Sequence, residues 1–176
     1  GAGNTAIDAA TEAARLGAEE VTIVYRRGKE EMPAYEFEYE LALHDRVRFC
    51  WFTAPVAVEG NGKVTGLKCS KMRAGEPDAS GRPRPVPVPD SDFVIPADTI
   101  IKATGQENHN DLFSAISGLE VKKGIVVVND DYQTTNPKYF AGGDCINGGK
   151  EVVNAVAHGK AAARAIDRML KGGSNG

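Results

Sequence analysis

From Gly3 onward the apolar positions Ala6, Ile7, Ala10, Ala13, Ala14 and Leu16 recur at helical spacing, and Gly17 ends the run as a C-cap. A helix is expected there. Residues 21–25 are apolar or β-branched throughout, as in a strand buried on both faces of a parallel sheet. Turn, helix and strand within the first 25 residues form the second half of a βαβ unit. Residues 34–44 predict a more polar helix with Pro33 near its start, and residues 47–53 a further strand. Residues 54–59 and 64–73 flank Gly60-Asn61-Gly62 and read as a hairpin. In 74–92, Pro83, Pro85, Pro87 and Pro89 permit an edge strand at most. Residues 93–96 and 99–103 look like two more strands, with a domain boundary at Gly105. Beyond it a short helix at 111–116, strands at 125–128 and 138–141, and a helix over about 152–170 complete the pattern. The broad apolar face of that last helix, including Val152, Val153, Val156, Ala161, Ala165 and Met169, calls for a substantial packing partner.

Composition narrows the classes. The 176 residues, 41% hydrophobic and 26% charged, suit a globular protein and exclude disordered, collagen-like and disulfide-scaffold chains. A net charge of -3 argues against a general nucleic-acid binder. No apolar run approaches the roughly 20 residues that cross a bilayer, and no secretory signal is visible, so no membrane partner is expected. Cys50, Cys69 and Cys145 contain no Cys-x-x-Cys, which removes a zinc ribbon, an iron–sulfur cluster and a redox dithiol from this stretch. Reduced thiols in a cytoplasmic protein are expected. Residues 172–176 look like a loose tail.

Candidate chemistry gathers at two glycine clusters. In Gly1-Ala2-Gly3-Asn4-Thr5-Ala6 the first glycine permits a tight turn and the second lets the backbone approach a pyrophosphate. The small Ala6 allows close helix–strand packing, and the helix N-terminus faces the anion. An ordinary strand-to-helix turn is the plainer alternative. At the end of the next strand, where an NAD site usually carries Asp or Glu, stand Arg26 and Arg27. Two guanidiniums there suit a 2′-phosphate, and so NADPH, unless they are merely solvated surface arginines. Near the C-terminus, Gly142-Gly143-Asp144 follows a short strand and Gly148-Gly149 precedes a long helix. Open N–H groups beside a positive helix end there can stabilise a reduced, anionic flavin. Otherwise Asp144 is a turn residue and the glycines a helix entry. His158 reads as a surface or packing residue, and His44 and His109 have no assignable partner.

The ordered set Gly-Ala-Gly-Asn-Thr-Ala, Val-Thr-Ile-Val-Tyr-Arg-Arg, Glu31-Met32-Pro33-Ala34 and Phe140-Ala141-Gly142-Gly143-Asp144 resembles the glutamate synthase small (beta) subunit family. That family includes the N-terminal flavin module of dihydropyrimidine dehydrogenase. The likeness covers nearly the whole chain. Gly60-Asn61-Gly62-Lys63-Val64, Gly75-Glu76-Pro77-Asp78 and Ile95-Pro96-Ala97-Asp98 resemble its glutamate synthase branch in particular. The resemblance implies an NADPH-binding domain inserted in an FAD-binding domain, with hydride passing to the flavin and electrons leaving through iron–sulfur clusters. It assigns Gly1, Gly3, Asn4 and Thr5 to the NADPH pyrophosphate, and Arg26 and Arg27 to its 2′-phosphate. Gly105 would mark the return to the flavin domain, Asp144 would bind the FAD ribityl chain, and Gly143 would be a further cofactor-binding residue. Gly149, Glu151, Val152 and Val153 would face the flavin ring. It also implies a large synthase or iron–sulfur acceptor subunit as partner.

The expected architecture is α/β: a Rossmann-like NADPH-binding domain with a β-hairpin region over 1–103, lacking its first strand, and the C-terminal part of an FAD-binding domain over 104–176. The earlier FAD fingerprint and the cysteine clusters of that family are missing. The expectation is therefore a fragment of a two-dinucleotide-binding flavoprotein, inactive alone, whose unpaired strand edge favours a homo-oligomer. Two other readings stay open: a thioredoxin-reductase-like enzyme, which the missing Cys-x-x-Cys disfavours, and a non-catalytic nucleotide-binding or docking module. Hydride transfer between two cofactors needs no general acid or base, so no catalytic residue is expected.

Overall fold

The structure is a computed structural model that describes residues 1–79 and 81–172. The last four residues of the expected tail lie outside the described residues. Two compact units divide the chain, Gly1–Gly105 and Gln106–Gly176.

In the first unit, helix α1 (Asn4–Arg15) buries Ala6, Ile7, Ala10 and Thr11 on one side. It ends in a Schellman closure: the Gly17 N–H donates to the Ala14 carbonyl and the Ala18 N–H to the Ala13 carbonyl, with Gly17 at φ 103°. Strand β1 (Thr22–Val24) pairs in parallel with β2 (Arg48–Cys50), Ile23 lying opposite Phe49. Helix α2 (Glu36–His44) connects them. It begins two residues later than its pattern suggests, because the Asn4 side-chain oxygen accepts the Tyr35 N–H at 3.0 Å and holds Tyr35 extended as the N-cap. Around these elements lies the core: Ala2, Ile7, Ala10, Ile23, Tyr25, Ala42 and Val47, with Met32, Ala34, Phe49 and Trp51 packed against it. Phe49 and Trp51 stack at 4.9 Å and Tyr25 meets Trp51 edge-on at 6.2 Å.

The strand expected over 47–53 splits at Phe52, which takes a positive φ of 47° and turns the chain from the parallel sheet into an antiparallel one. Strands β3 (Thr53–Gly60), β4 (Val64–Pro77), β5 (Pro83–Pro87) and β6 (Phe93–Pro96) form that second sheet. β4 is common to all the pairings, with β3 and β6 along its first half and β5 along its second. Cys69 is fully buried here. Burial pushes its thiol up from the ordinary range, with the Cys50 thiol adding to the shift. Little of it is thiolate near neutral pH, so iodoacetamide should label Cys69 more slowly than Cys50 or Cys145. Peptide mapping after timed alkylation checks this, and equal rates at the three sites would contradict it.

Two expected strands do not form. Residues 99–103 have no ladder partner among the described residues, and Ile101 is 59% exposed. β-branched composition makes an extended segment, but only a hydrogen-bonded neighbour makes it a strand. Residues 138–141 likewise make only the isolated bridge between Gln133 and Phe140.

The second unit holds α3 (Asn110–Ser114), the ribbon of β7 (Val121–Lys122) with β8 (Ile125–Val126), the short α4 (Asp144–Asn147) and the 21-residue α5 (Val152–Gly172). The broad apolar face of α5 is only partly used. Ala162 and Ala165 are buried, whereas Val152, Val153, Val156, Met169 and Leu170 remain exposed. Among the described residues no helix is long and apolar enough to cross a membrane, and no group of His, Cys, Asp and Glu could hold a metal ion.

Candidate pyridine-nucleotide and flavin sites

The first site is built at the N-terminus of α1. The Gly3 carbonyl accepts the Ala6 and Ile7 N–H groups at 2.8 and 3.1 Å, and no side chain caps the helix. The N–H groups of Asn4 and Thr5 and the positive end of the helix dipole are thus offered to an anion. A Cβ at Gly3 would come no nearer than 3.8 Å to Pro33, so the face of the turn is open for a ligand to approach. Gly1 is different: a Cβ there would collide with the Ala103 carbonyl, and its amino group donates to Val24 O at 3.2 Å. Gly1 is a packing glycine as well as a turn glycine.

The Glu31-Met32-Pro33-Ala34 segment closes the far side of this turn. Glu31 accepts the Gly28 N–H on its carboxylate at 2.9 Å, and its carbonyl accepts the Tyr25 hydroxyl at 2.8 Å. Met32 and Ala34 anchor the segment in the core. Asn4, assigned from sequence to the pyrophosphate, uses its side-chain oxygen to hold Tyr35, while Thr5 is exposed. The two arginines at the end of β1 have separate environments. Arg26 is exposed, whereas the Arg27 side chain is only 9% exposed and pairs with Asp78 at 2.9 Å and with Pro83 O at 3.1 Å. No local sequence signal links Arg27 to Asp78, which lies 51 positions away.

Gly105 ends the first unit at φ 106°, with open space where a Cβ would stand.

In the second unit Gly142 and Gly143 pack tightly against α5. A Cβ on Gly142 would sit 2.8 Å from the His158 Cβ, and one on Gly143, at φ 71°, would sit 3.2 Å from the Ala155 Cβ. The Gly143 N–H donates to His158 Nδ1 at 3.1 Å, and the imidazole lies against Tyr132 with ring centroids 5.1 Å apart. His158 is therefore half-buried and holds the glycine turn, in keeping with a packing role. Asp144 starts α4, a single helical turn, and its carbonyl accepts the Gly148 N–H at 2.9 Å. Gly148 and Gly149 both have positive φ, at 79° and 103°, and carry the chain to Glu151, Val152 and Val153 at the exposed start of α5. Asn147 Oδ1 accepts the Gly149 N–H, and its buried Nδ2 has no acceptor among the described residues. A glycine turn of this shape with an orphan donor fits a polar cofactor edge.

Comparison with known proteins places the chain in a family. The family model described as pyridine nucleotide-disulphide oxidoreductase matches residues 1–159, and the chain belongs to that family of oxidoreductases. Among curated relatives, the NADP(+)-dependent formate dehydrogenase subunit beta of Moorella thermoacetica is 42% identical over 99% of this chain and 25% of its own length. The glutamate synthase [NADPH] small chain of Escherichia coli is 39% identical over 97% of this chain and 38% of its own. The resemblance to glutamate synthase small subunits thus runs nearly the full chain, which spans about a quarter to two-fifths of the length of these relatives. Thioredoxin reductase of T. acidophilum superposes with a TM-score of 0.74 at 21% identity, over 94% of this chain and 49% of that one. Mycobacterium tuberculosis FprA, solved in complex with NADPH, superposes at 0.64 and 16% identity, over 98% of this chain and 53% of that one. These likenesses establish the α/β dinucleotide-binding fold.

Proposed function

We propose that the first unit binds NADPH and the second supplies the closing part of an FAD site, in an oxidoreductase that passes electrons onward to iron–sulfur clusters or a partner subunit. The carrying observation is the open, uncapped Gly3 turn at the start of α1, combined with the exposed Arg26 and the absence of an acidic residue at the end of β1. The relatives named as NADPH- or NADP-dependent support the nucleotide, and those named as subunits support a partner. When bound, the two cofactors supply the hydride chemistry. The protein's own groups bind and orient. The α1 amides with Gly3 and Thr5 hold the pyrophosphate, Asn4 fixes the segment that closes the turn, and Arg26 attracts the 2′-phosphate. Gly143, Asp144 and the Gly149–Val153 stretch present backbone groups to the flavin. The three unpaired thiols are in keeping with a cytoplasmic setting.

In the intact protein carrying these residues, NADPH is expected to bleach the visible flavin absorbance under anaerobic conditions much faster than NADH. Equal rates would remove the proposed nucleotide preference. Binding of NADPH with no flavin reduction would instead favour the non-catalytic docking module.

A further inference from the structure

We infer that Arg27 is not a phosphate ligand but a positioning residue, which with Asp78 ties the β4–β5 turn to the end of β1 and so sets the selectivity for the nucleotide 2′-phosphate. The inference rests on the NADPH reading above and assigns different roles to two adjacent arginines.

Arg27 spans both sides of that turn. Its Nη2 donates to Asp78 Oδ2 at 2.9 Å and its Nε to the Pro83 carbonyl at 3.1 Å. The backbone of Arg27 is itself held, because its carbonyl accepts the Phe52 N–H at 3.0 Å. Asp78 is the organiser of the turn: its N–H donates to Arg82 O and its carbonyl accepts the Gly81 N–H, each at 2.8 Å. The turn is therefore closed on itself through Asp78 and fastened to β1 through Arg27.

Two features oppose a direct phosphate role. The Arg27 side chain is 9% exposed and its partner carboxylate 26%, so the pair is largely shielded from solvent. Swinging Arg27 out to a phosphate would break both of its hydrogen bonds, to Asp78 Oδ2 and to the Pro83 carbonyl. Arg26, exposed on the same strand end, has no such commitment to leave. The tie also brings further positive charge: Arg84, exposed on β5, adjoins the Pro83 carbonyl that Arg27 holds. Docking the turn on Arg27 thus fixes the β4–β5 hairpin beside the segment that carries Arg26.

The two roles for Arg27 predict opposite signs for one substitution. In the intact protein, Asp78→Asn keeps the shape and the turn acceptors but removes the charge that holds Arg27. If Arg27 is a tie, NADPH affinity falls severalfold while NADH affinity stays as it was. If it is a ligand restrained by Asp78, NADPH affinity rises, and that result, or no change, would overturn the inference. Arg26→Gln should lower NADPH affinity by about tenfold, the weight of one charge-assisted contact, and spare NADH. A second readout needs no nucleotide. Arg27→Gln should speed amide exchange at Asp78 and Gly81 in the unliganded protein; unchanged exchange would also overturn the tie. Equal NADPH and NADH affinity in the unaltered protein would defeat the NADPH reading and this inference together, whereas a preference that Asp78→Asn leaves undiminished defeats the inference alone.

Discussion

Shortening Ile7 to alanine is expected to destabilise the first unit by about 2–5 kcal/mol, enough to abolish nucleotide binding at ordinary temperature in a marginally stable protein. Ile7 is fully buried at the centre of the α1–β1–α2 core and is among the largest side chains with no exposure. Its neighbours include Ala2, Ala10 and Ala42, small residues that cannot swing in to refill the space. The same residue follows the glycine turn in the first turn of α1, and its N–H donates to Gly3 O. Loss of packing there loosens the helix end as well as the core. Chemical denaturation followed by circular dichroism measures the change. A midpoint unaltered within error would mean that the α1 face contributes little to stability.

Replacing Gly142 by alanine is expected to cost the intact protein its FAD, through the flavin site proposed at this turn. The new Cβ would lie 2.8 Å from the His158 Cβ, a contact that requires the turn and α5 to separate. Such overpacking costs about 1–3 kcal/mol, and here the strain falls on the Gly143 N–H to His158 bond that positions Asp144. Trimming His158 to alanine would not relieve it, because the colliding atom is Cβ itself. The flavin-to-protein absorbance ratio after purification reads the effect. Full flavin content in the variant would show that the cofactor does not depend on this turn.

The parts of the fold that read clearly were those governed by neighbours in sequence. The 3.6-residue spacing from Ala6 to Leu16, with Gly17 after it, marks α1 without help from the rest of the chain. The hairpin across Asn61 and Gly62 is equally local. Where a partner far along the chain decides, the sequence was silent. Residues 99–103 have strand composition and no strand. The start of α2 depends on Asn4, 31 positions before the Tyr35 amide that it holds. The same holds at the site. Glycines legible as a turn proved to be one, yet Arg26 and Arg27 are indistinguishable in the sequence and are separated only by Asp78. His158 read as a surface or packing residue, but its partner was not legible, because its bond to the Gly143 N–H closes a loop of 15 residues with no motif to announce it.

The proline-rich strand β5 carries a consequence for solution behaviour. Pro83, Pro85 and Pro87 share one parity, and the Val88 N–H, on the other parity, donates inward to Lys71 O on β4. The positions whose N–H groups would point outward are therefore all prolines. That border offers acceptors but no donors, so another polypeptide cannot zip onto it in register. Along β5, growth of the sheet by recruiting neighbours is therefore blocked by chemistry, not by a covering element.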